Sequence, residues 1–526
     1  MFLKIALLVL FFAVMIGVGF YCRKSATDVR GFVMGGRNVG SWLTAFAFGT
    51  SYFSAVIFVG YAGQFGWKYG LASTWIGIGN AIIGSLLAWR ILGRRTRLLT
   101  QHLHSATMPD FFGSRFNSKA LKVAASVIVF IFLIPYTASL YNGLSRLFGM
   151  AFGIDYTWCV IGMAVLTAVY VLVGGYMATA VNDFIQGMIM LVGICAVIGA
   201  VLKCNGGFTE AVQSLSLIQS ESAPALSGAF VSFFGPQPIY LLGVVLLTSL
   251  GTWGLPQMVG KFYAIRDEAA IRKGTFISTV FAVIVAGGCY FLGGFGRLYG
   301  NVIEYSANGT PVYDSIVPSM LQSLPDVMIA IVIILVLSAS MSTLSSLVLT
   351  SGSTLTLDII FAKEDRGKSK ENEKKVLLCI RLFVLFFIVV SSILAIIQAK
   401  SSVTFIAQLM GISWGALAGA FLAPFLYGLY WKRTTSASVW VSFIVGVVIM
   451  CGCMYGTFTH TTFISPYFSS PINAGVLAMV AGLVIVPLVS FCSPVSNKKD
   501  VDEMFKCYDR SVTVRASDTL VDGEEI

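Results

Sequence analysis

Inside a strongly apolar stretch the chain reads Ser338-Ala339-Ser340-Met341-Ser342-Thr343-Leu344-Ser345-Ser346. Ser342, Ser345 and Ser346 stand at i, i+3 and i+4, so on a helix their hydroxyls share one face. Lipid offers a hydroxyl no partner, so this face must meet a cavity, another helix or a cation. Oxygen ligands without a full negative charge suit a weakly held hard cation. Two other places would supply such oxygens. Phe48-Gly49-Thr50-Ser51 interrupts one apolar run, and Thr248-Ser249-Leu250-Gly251-Thr252-Trp253-Gly254-Leu255-Pro256 interrupts another. A helix break frees carbonyls that no helical N–H satisfies, and a cation can take them. The chemistry indicated is ion binding within a transporter.

These groups need elements to hold them. The chain has 526 residues, 57% hydrophobic and 11% charged, with a mean hydropathy of +0.84. That is too apolar for a soluble protein. Apolar runs of roughly 20 residues recur, the length that crosses a bilayer. They fall at about 3–22, 41–65, 71–92, 123–150, 156–173, 178–202, 237–259, 275–296, 326–358, 376–398, 403–430, 436–457 and 472–492. The expectation is an all-α membrane protein of 13 transmembrane helices embedded in lipid. The two interrupted spans start five spans apart, and paired breaks in two halves point to an inverted repeat with its site at the breaks.

Lys and Arg crowd one set of loops, from Arg23–Arg37 through Arg94–Lys122, Lys261–Lys273 and Lys363–Lys375 to Lys432, Arg433, Lys498 and Lys499. The opposite loops hold scattered bases such as Lys68, Lys203, Arg297 and Lys400. With an odd span count this bias predicts an outside N-terminus and a cytoplasmic C-terminus. The net charge of +11 is thus topology, and no nucleic-acid partner is expected. The first span lacks a small-x-small cleavage site and is read as a helix rather than a signal peptide. Ten Cys are dispersed without a CxxC pair, three His are scattered, and no catalytic triad is visible. No enzymatic chemistry is expected. Residues 203–236 form an outer loop, 361–375 a charged linker, and 496–526 a polar, mobile cytoplasmic tail. Asn308-Gly309-Thr310 fits a glycosylation acceptor formally.

The ordered motifs resemble the sodium/solute symporter family over about residues 1–495. They are Gly35-Gly36-Arg37-Asn38-Val39-Gly40, Thr50-Ser51-Tyr52-Phe53-Ser54-Ala55 with Gly60, and Val173-Gly174-Gly175-Tyr176-Met177-Ala178 followed by Asn182-Asp183-Phe184-Ile185-Gln186-Gly187. Gly254-Leu255-Pro256-Gln257 and Tyr427-Gly428-Leu429-Tyr430-Trp431-Lys432-Arg433 complete the set. The resemblance implies a leucine-transporter-like fold of two inverted five-helix repeats, with one extra helix before and two after. It also implies sodium-coupled import of a small solute across the plasma membrane by alternating access.

The resemblance carries over two sodium sites. The first takes the carbonyls of Thr50, Phe53 and Ala339 and the hydroxyls of Ser342 and Thr343. The second, found in members that resemble sialic acid transporters, takes Asp183 with Ser342, Ser345 and Ser346, which implies two sodium ions per solute. An ionisable group such as Asp183 within a span is itself a functional signal. The solute pocket is expected beside the breaks, lined by Tyr52, Ser54, Ile57 and Phe58, by Thr248, Thr252, Trp253 and Pro256, and by Tyr136 and Ser139 on the fourth span. The segment from Tyr136 to Phe148 looks like the sodium/proline symporters. Tyr52 departs from them, since they carry Asp there, and looks closer to the pantothenate symporters. Ile57 stands where sugar symporters carry an amide. Broken helices present free N–H groups to anions, so an amino acid or small carboxylate is the expected solute. A sugar or sialic-acid-type symporter and a non-transporting membrane sensor are the alternatives.

Overall fold

The computed structural model describes residues 2–306, 309–361, 370–399, 406–459, 461–494 and 498–510. Asn308, most of the charged linker 361–375 and the last part of the tail lie outside these. Among the described residues the chain is helical almost throughout, with ten helices long and apolar enough to cross a membrane, or eleven if one bent pair counts as a span. Two of the ten exceed a single crossing. Tyr156–Cys204 has 49 residues and Val56–His102 has 47, roughly 70 Å each at 1.5 Å per residue against a ~30 Å hydrocarbon core. Each contains a glycine in a backbone conformation that L side chains rarely adopt, Gly175 at φ 55°, ψ −149° and Gly70 at φ 60°, ψ −140°.

Burial separates centre from periphery. The serine-rich helix Asp326–Thr354 is buried along nearly its whole second half, and Ile406–Tyr430 is buried over most of its length, up to an exposed Tyr430. The first helix turns Ile5, Val9 and Leu10 outward, as a lipid-facing helix does. The serine-rich helix packs on Tyr156–Cys204, Lys119–Phe152 and Ser41–Tyr52, while Ile406–Tyr430, Ser436–Thr459 and Pro471–Cys492 pack on one another.

The two interrupted helices break in the same way. Ser41–Tyr52 ends at Phe53, extended at φ −90°, ψ 116°. The chain resumes through Val56–Tyr61 and Ala62–Tyr69. Ser54 caps this second half: its Oγ accepts from Val56 N–H at 3.2 Å, and its carbonyl accepts from the N–H groups of Ile57 and Phe58. Pro238–Leu250 tightens through Gly251–Gly254. Leu255 is then extended at φ −88°, ψ 119°, and Pro256–Ala264 begins, with a bend of 47°. Pro256 explains this break twice over. It disfavours the α region for Leu255, and it sits at the first helical position, where its missing N–H leaves nothing unsatisfied.

The face with the basic loops is built rather than loose. Val39 N–H donates to Ala264 O and Arg266 N–H to Val39 O, so the segment before the first broken helix is tied to the end of the second. Arg37 is buried and donates to the carbonyls of Thr100 and Ser105. Part of the tail is ordered on this face, contrary to its polar reading. Lys498–Phe505 is a helix. Lys432 pairs with Asp502 at 2.6 Å, and Tyr508 OH donates to Leu429 O at 2.8 Å.

Candidate cation and solute site

The first break meets the serine-rich helix at one carbonyl. Thr50 O accepts from Ser342 Oγ and from Thr343 Oγ1, both at 3.1 Å. The same two hydroxyls lie 3.1 Å from Ala339 O. Two carbonyl and two hydroxyl oxygens thus converge where the helix has stopped, all on fully buried residues. Phe53 is the extended residue at the break, with its N–H still on Gly49 O, and its carbonyl makes no contact with these four oxygens among the described hydrogen bonds. Neutral oxygens with no fixed charge form a fitting cradle for a hard monovalent cation, with the hydroxyl protons turned away on binding.

The second expected set is assembled differently. Asp183 is buried on Tyr156–Cys204, and its Oδ2 lies 3.6 Å from Lys261 Nζ. That is an ion-pair separation just beyond hydrogen-bonding range. Lys261 Nζ donates to Ser346 Oγ at 2.9 Å, and Ser346 Oγ lies 2.8 Å from Ser51 Oγ. The ammonium also sits 5.4 Å from the Tyr176 ring centroid. Ser345 is turned away from the pair: its Oγ donates to Ser342 O at 2.9 Å. Asp183 and Ser346 are brought together as the sequence suggested, but through a lysine the sequence reading had assigned to a basic loop. Ser51 was not foreseen either.

Among the expected solute residues, Tyr52 and Thr248 meet. Tyr52 OH donates to Thr248 O at 2.9 Å, joining the two broken helices. Asn80, unforeseen, accepts from Thr248 Oγ1 and Ser249 Oγ at 3.0 Å each. Trp414, also unforeseen, lies tilted against Tyr52 and edge-on to Tyr136, with ring centroids 5.4 and 6.0 Å away. The others are engaged in capping, back-bonding and packing between helices. Ser54 is a helix cap, and Ser139 Oγ donates to Tyr136 O. Thr252 bonds Ser249 O at 2.8 Å, and Trp253 Nε1 donates to Ile83 O at 3.0 Å. Ile57 and Phe58 are buried in the apolar core. Pro256 lines a cavity of about 50 Å³ shared with Gln257, Lys261, Tyr176 and Ser346. The hydroxyl of Tyr61 and the amide of Gln257 are buried without a hydrogen-bond partner among the described residues. Such groups mark where a polar ligand or water would be welcome.

Comparisons with known proteins bear on the family and the fold. The family model described as the sodium:solute symporter family matches residues 32–446. Sodium/proline symporter 2 of Staphylococcus saprophyticus is 28% identical over 451 residues, 84% of each chain. The osmoregulated proline transporter OpuE of Bacillus subtilis is 28% identical, covering 90% of this chain and 93% of its own. Among solved structures, a substrate-bound, outward-open Na+-coupled sialic acid symporter superposes with a TM-score of 0.74 at 16% identity, covering 95% of this chain and 99% of the other. Mhp1, a nucleobase-cation-symport-1 family transporter, gives 0.50 at 12% identity, covering 91% and 98%. At these identities the two structures establish a shared leucine-transporter-like fold.

Proposed function

This chain belongs to the sodium:solute symporter family, and we propose that it imports a small amino acid, or another small carboxylate, with sodium across the plasma membrane. As a member of that family it is a multi-pass membrane transporter and not an enzyme. The observation that carries the sodium reading is the convergence of the Ser342 and Thr343 hydroxyls on the freed Thr50 carbonyl. Sodium is cargo here, released with the solute, so a cradle of neutral oxygens suits it better than a carboxylate cage. The proline transport of the relatives at 28% identity supports a compact amino acid. The Tyr52, Tyr136 and Trp414 rings cluster beside the first break and would supply apolar walls. Tyr52 stands where the sodium/proline symporters carry Asp, so its bond to Thr248 O replaces a charge with a neutral strut and leaves proline one candidate in a class.

Thirteen crossings fit the structure if the two overlong helices turn at Gly70 and Gly175 and each broken helix counts once. The matching backbone angles at Phe53 and Leu255 support two inverted repeats. We place residues 1–495 in the membrane domain, the basic face and the tail in the cytoplasm, and the N-terminus outside. The test is uptake into proteoliposomes of L-proline, other small amino acids and small carboxylates under inward sodium, potassium or choline gradients. Sodium-driven accumulation of one of them is expected. Accumulation indifferent to sodium would end the coupling assignment. Sodium-driven uptake confined to sugars or sialic acid would move the solute to the alternative class.

A further inference from the structure

Resting on the sodium-symport reading above, we propose that the Lys261 ammonium is a built-in cation standing where a second sodium ion would bind, so that this transporter binds one sodium ion per chain.

The geometry is specific. A sodium ion held by Asp183 and Ser346 would have to lie between them. That place is taken by Lys261 Nζ, 3.6 Å from Asp183 Oδ2 and 2.9 Å from Ser346 Oγ. A buried carboxylate needs a positive partner to remain charged, and the lysine supplies one without leaving the protein. A second cation in the same space would face the ammonium at close range in a medium of low dielectric, where like charges repel strongly. Asp183 and the side chain of Lys261 are almost wholly shielded from solvent, with 0% and 4% exposure, so water does little to screen that repulsion. Of the two other ligands expected for a second ion, Ser345 is bonded to its own helix and Ser342 to the carbonyls of Thr50 and Ala339.

The position of Lys261 in the chain makes this a mechanical link as well. It lies on Pro256–Ala264, the second half of the second broken helix. It reaches Asp183 on Tyr156–Cys204 and Ser346 on the serine-rich helix, and through Ser346 the hydroxyl of Ser51 on the first broken helix. An ion at this junction would release the four elements whenever it dissociated. A tethered ammonium holds them through every cycle. Lys261 also borders a cavity of about 50 Å³ with Ser346, Tyr176 and Gln257, so removing the lysine stem would join the space its ammonium leaves beside Asp183 to a void that can take a small ion.

The experiment measures sodium alone, by equilibrium dialysis of radioactive sodium against the purified full-length protein. One saturable ion per chain is expected in the wild type. Lys261→Ala should bind two, and Lys261→Arg should stay at one. Lys261→Ala combined with Asp183→Asn should return to one, because the carboxylate that called for the second ion is gone. Lys261→Met, which keeps the bulk of the stem, serves if the alanine variant does not fold. Two ions in the wild type would overturn the inference while sparing the sodium-symport reading. One ion in both the folded Lys261→Ala and Lys261→Met proteins would overturn it too. No saturable sodium in the wild type would instead strike the first site, and with it the reading on which this inference rests.

Discussion

Two polar clusters lie within two turns of one another on the serine-rich helix, and they are opposites. At Ser342 and Thr343 the neighbour is a broken helix that offers the bare Thr50 carbonyl. At Ser346 the neighbour is an amine, which in turn faces a buried carboxylate of opposite charge. The hydroxyls are chemically alike. The adjoining elements decide whether a hydroxyl helps to hold a passing cation or anchors a permanent one. A reversible site must be left one charge short, whereas a structural site must be complete. Changes at the first cluster should therefore be read out in sodium affinity, and changes at the second in stability.

The largest effect belongs to the second cluster. Asp183→Asn leaves the Lys261 ammonium buried without its partner, a loss of about 3–5 kcal/mol for pairs broken in this way. Thermal unfolding in detergent should show a large drop in the melting temperature. Adding Lys261→Met should restore most of it, since replacing a whole buried pair by apolar bulk is often neutral. Equal melting of Asp183→Asn and wild type would mean that the pair contributes nothing, and the contrast between the clusters would fall.

Next in size is the first cluster. Ser342→Ala or Thr343→Ala removes one of the few oxygens around Thr50 O. The sodium concentration for half-maximal uptake should rise at least ~10-fold, equivalent to about 1.4 kcal/mol. Stability should change by no more than the ~0.5–1.5 kcal/mol of one hydrogen bond. A variant that melts early but keeps its sodium dependence would make these hydroxyls structural and reverse the two roles.

The sequence revealed the first cluster more fully than the second for a physical reason. A hydroxyl-rich stretch and a Gly-broken run are local patterns that point to an ion site, and the family resemblance then named Thr50, Phe53, Ala339, Ser342 and Thr343 as its members. Leu255 and Pro256 were legible in the same way, because the restriction that proline places on its predecessor is local. Lys261 was not. It follows an apolar run by two residues, where a base ordinarily extends to the membrane surface and counts toward topology. Only tertiary packing turns it inward onto Asp183. Helix ends are also the least certain part of a pattern reading, and a span closed at residue 259 rather than at Ala264 put this lysine in a loop. The tail segment 498–510 was misjudged similarly: its polarity suggested mobility, while Asp502, Phe505 and Tyr508 find partners on the basic face. Trp414 and Asn80 carried no signal, since an aromatic or an amide on an apolar helix has many uses.

The smallest effect is the sharpest test of the comparison, because the sequence and the structure assign it differently. Ser345 shares its helix face with Ser342 and Ser346, and on pattern alone it would be a sodium ligand. In the structure its hydroxyl donates to Ser342 O, one turn back on its own helix, at 2.9 Å, a common resting place for a serine inside a membrane helix. Tyr170 reaches this part of the helix as well, its hydroxyl donating to Met341 O at 2.9 Å. Removing the Ser345 hydroxyl takes nothing from Thr50 O and nothing from Asp183. Ser345→Ala should therefore keep the half-maximal sodium concentration within about twofold, a free-energy change under ~0.5 kcal/mol, and should melt within a degree or two of wild type. Sodium titration of uptake alongside Thr343→Ala checks it directly. A loss of sodium affinity matching that of Thr343→Ala would show that the three serines act together on an ion, and that Lys261 moves aside to admit it.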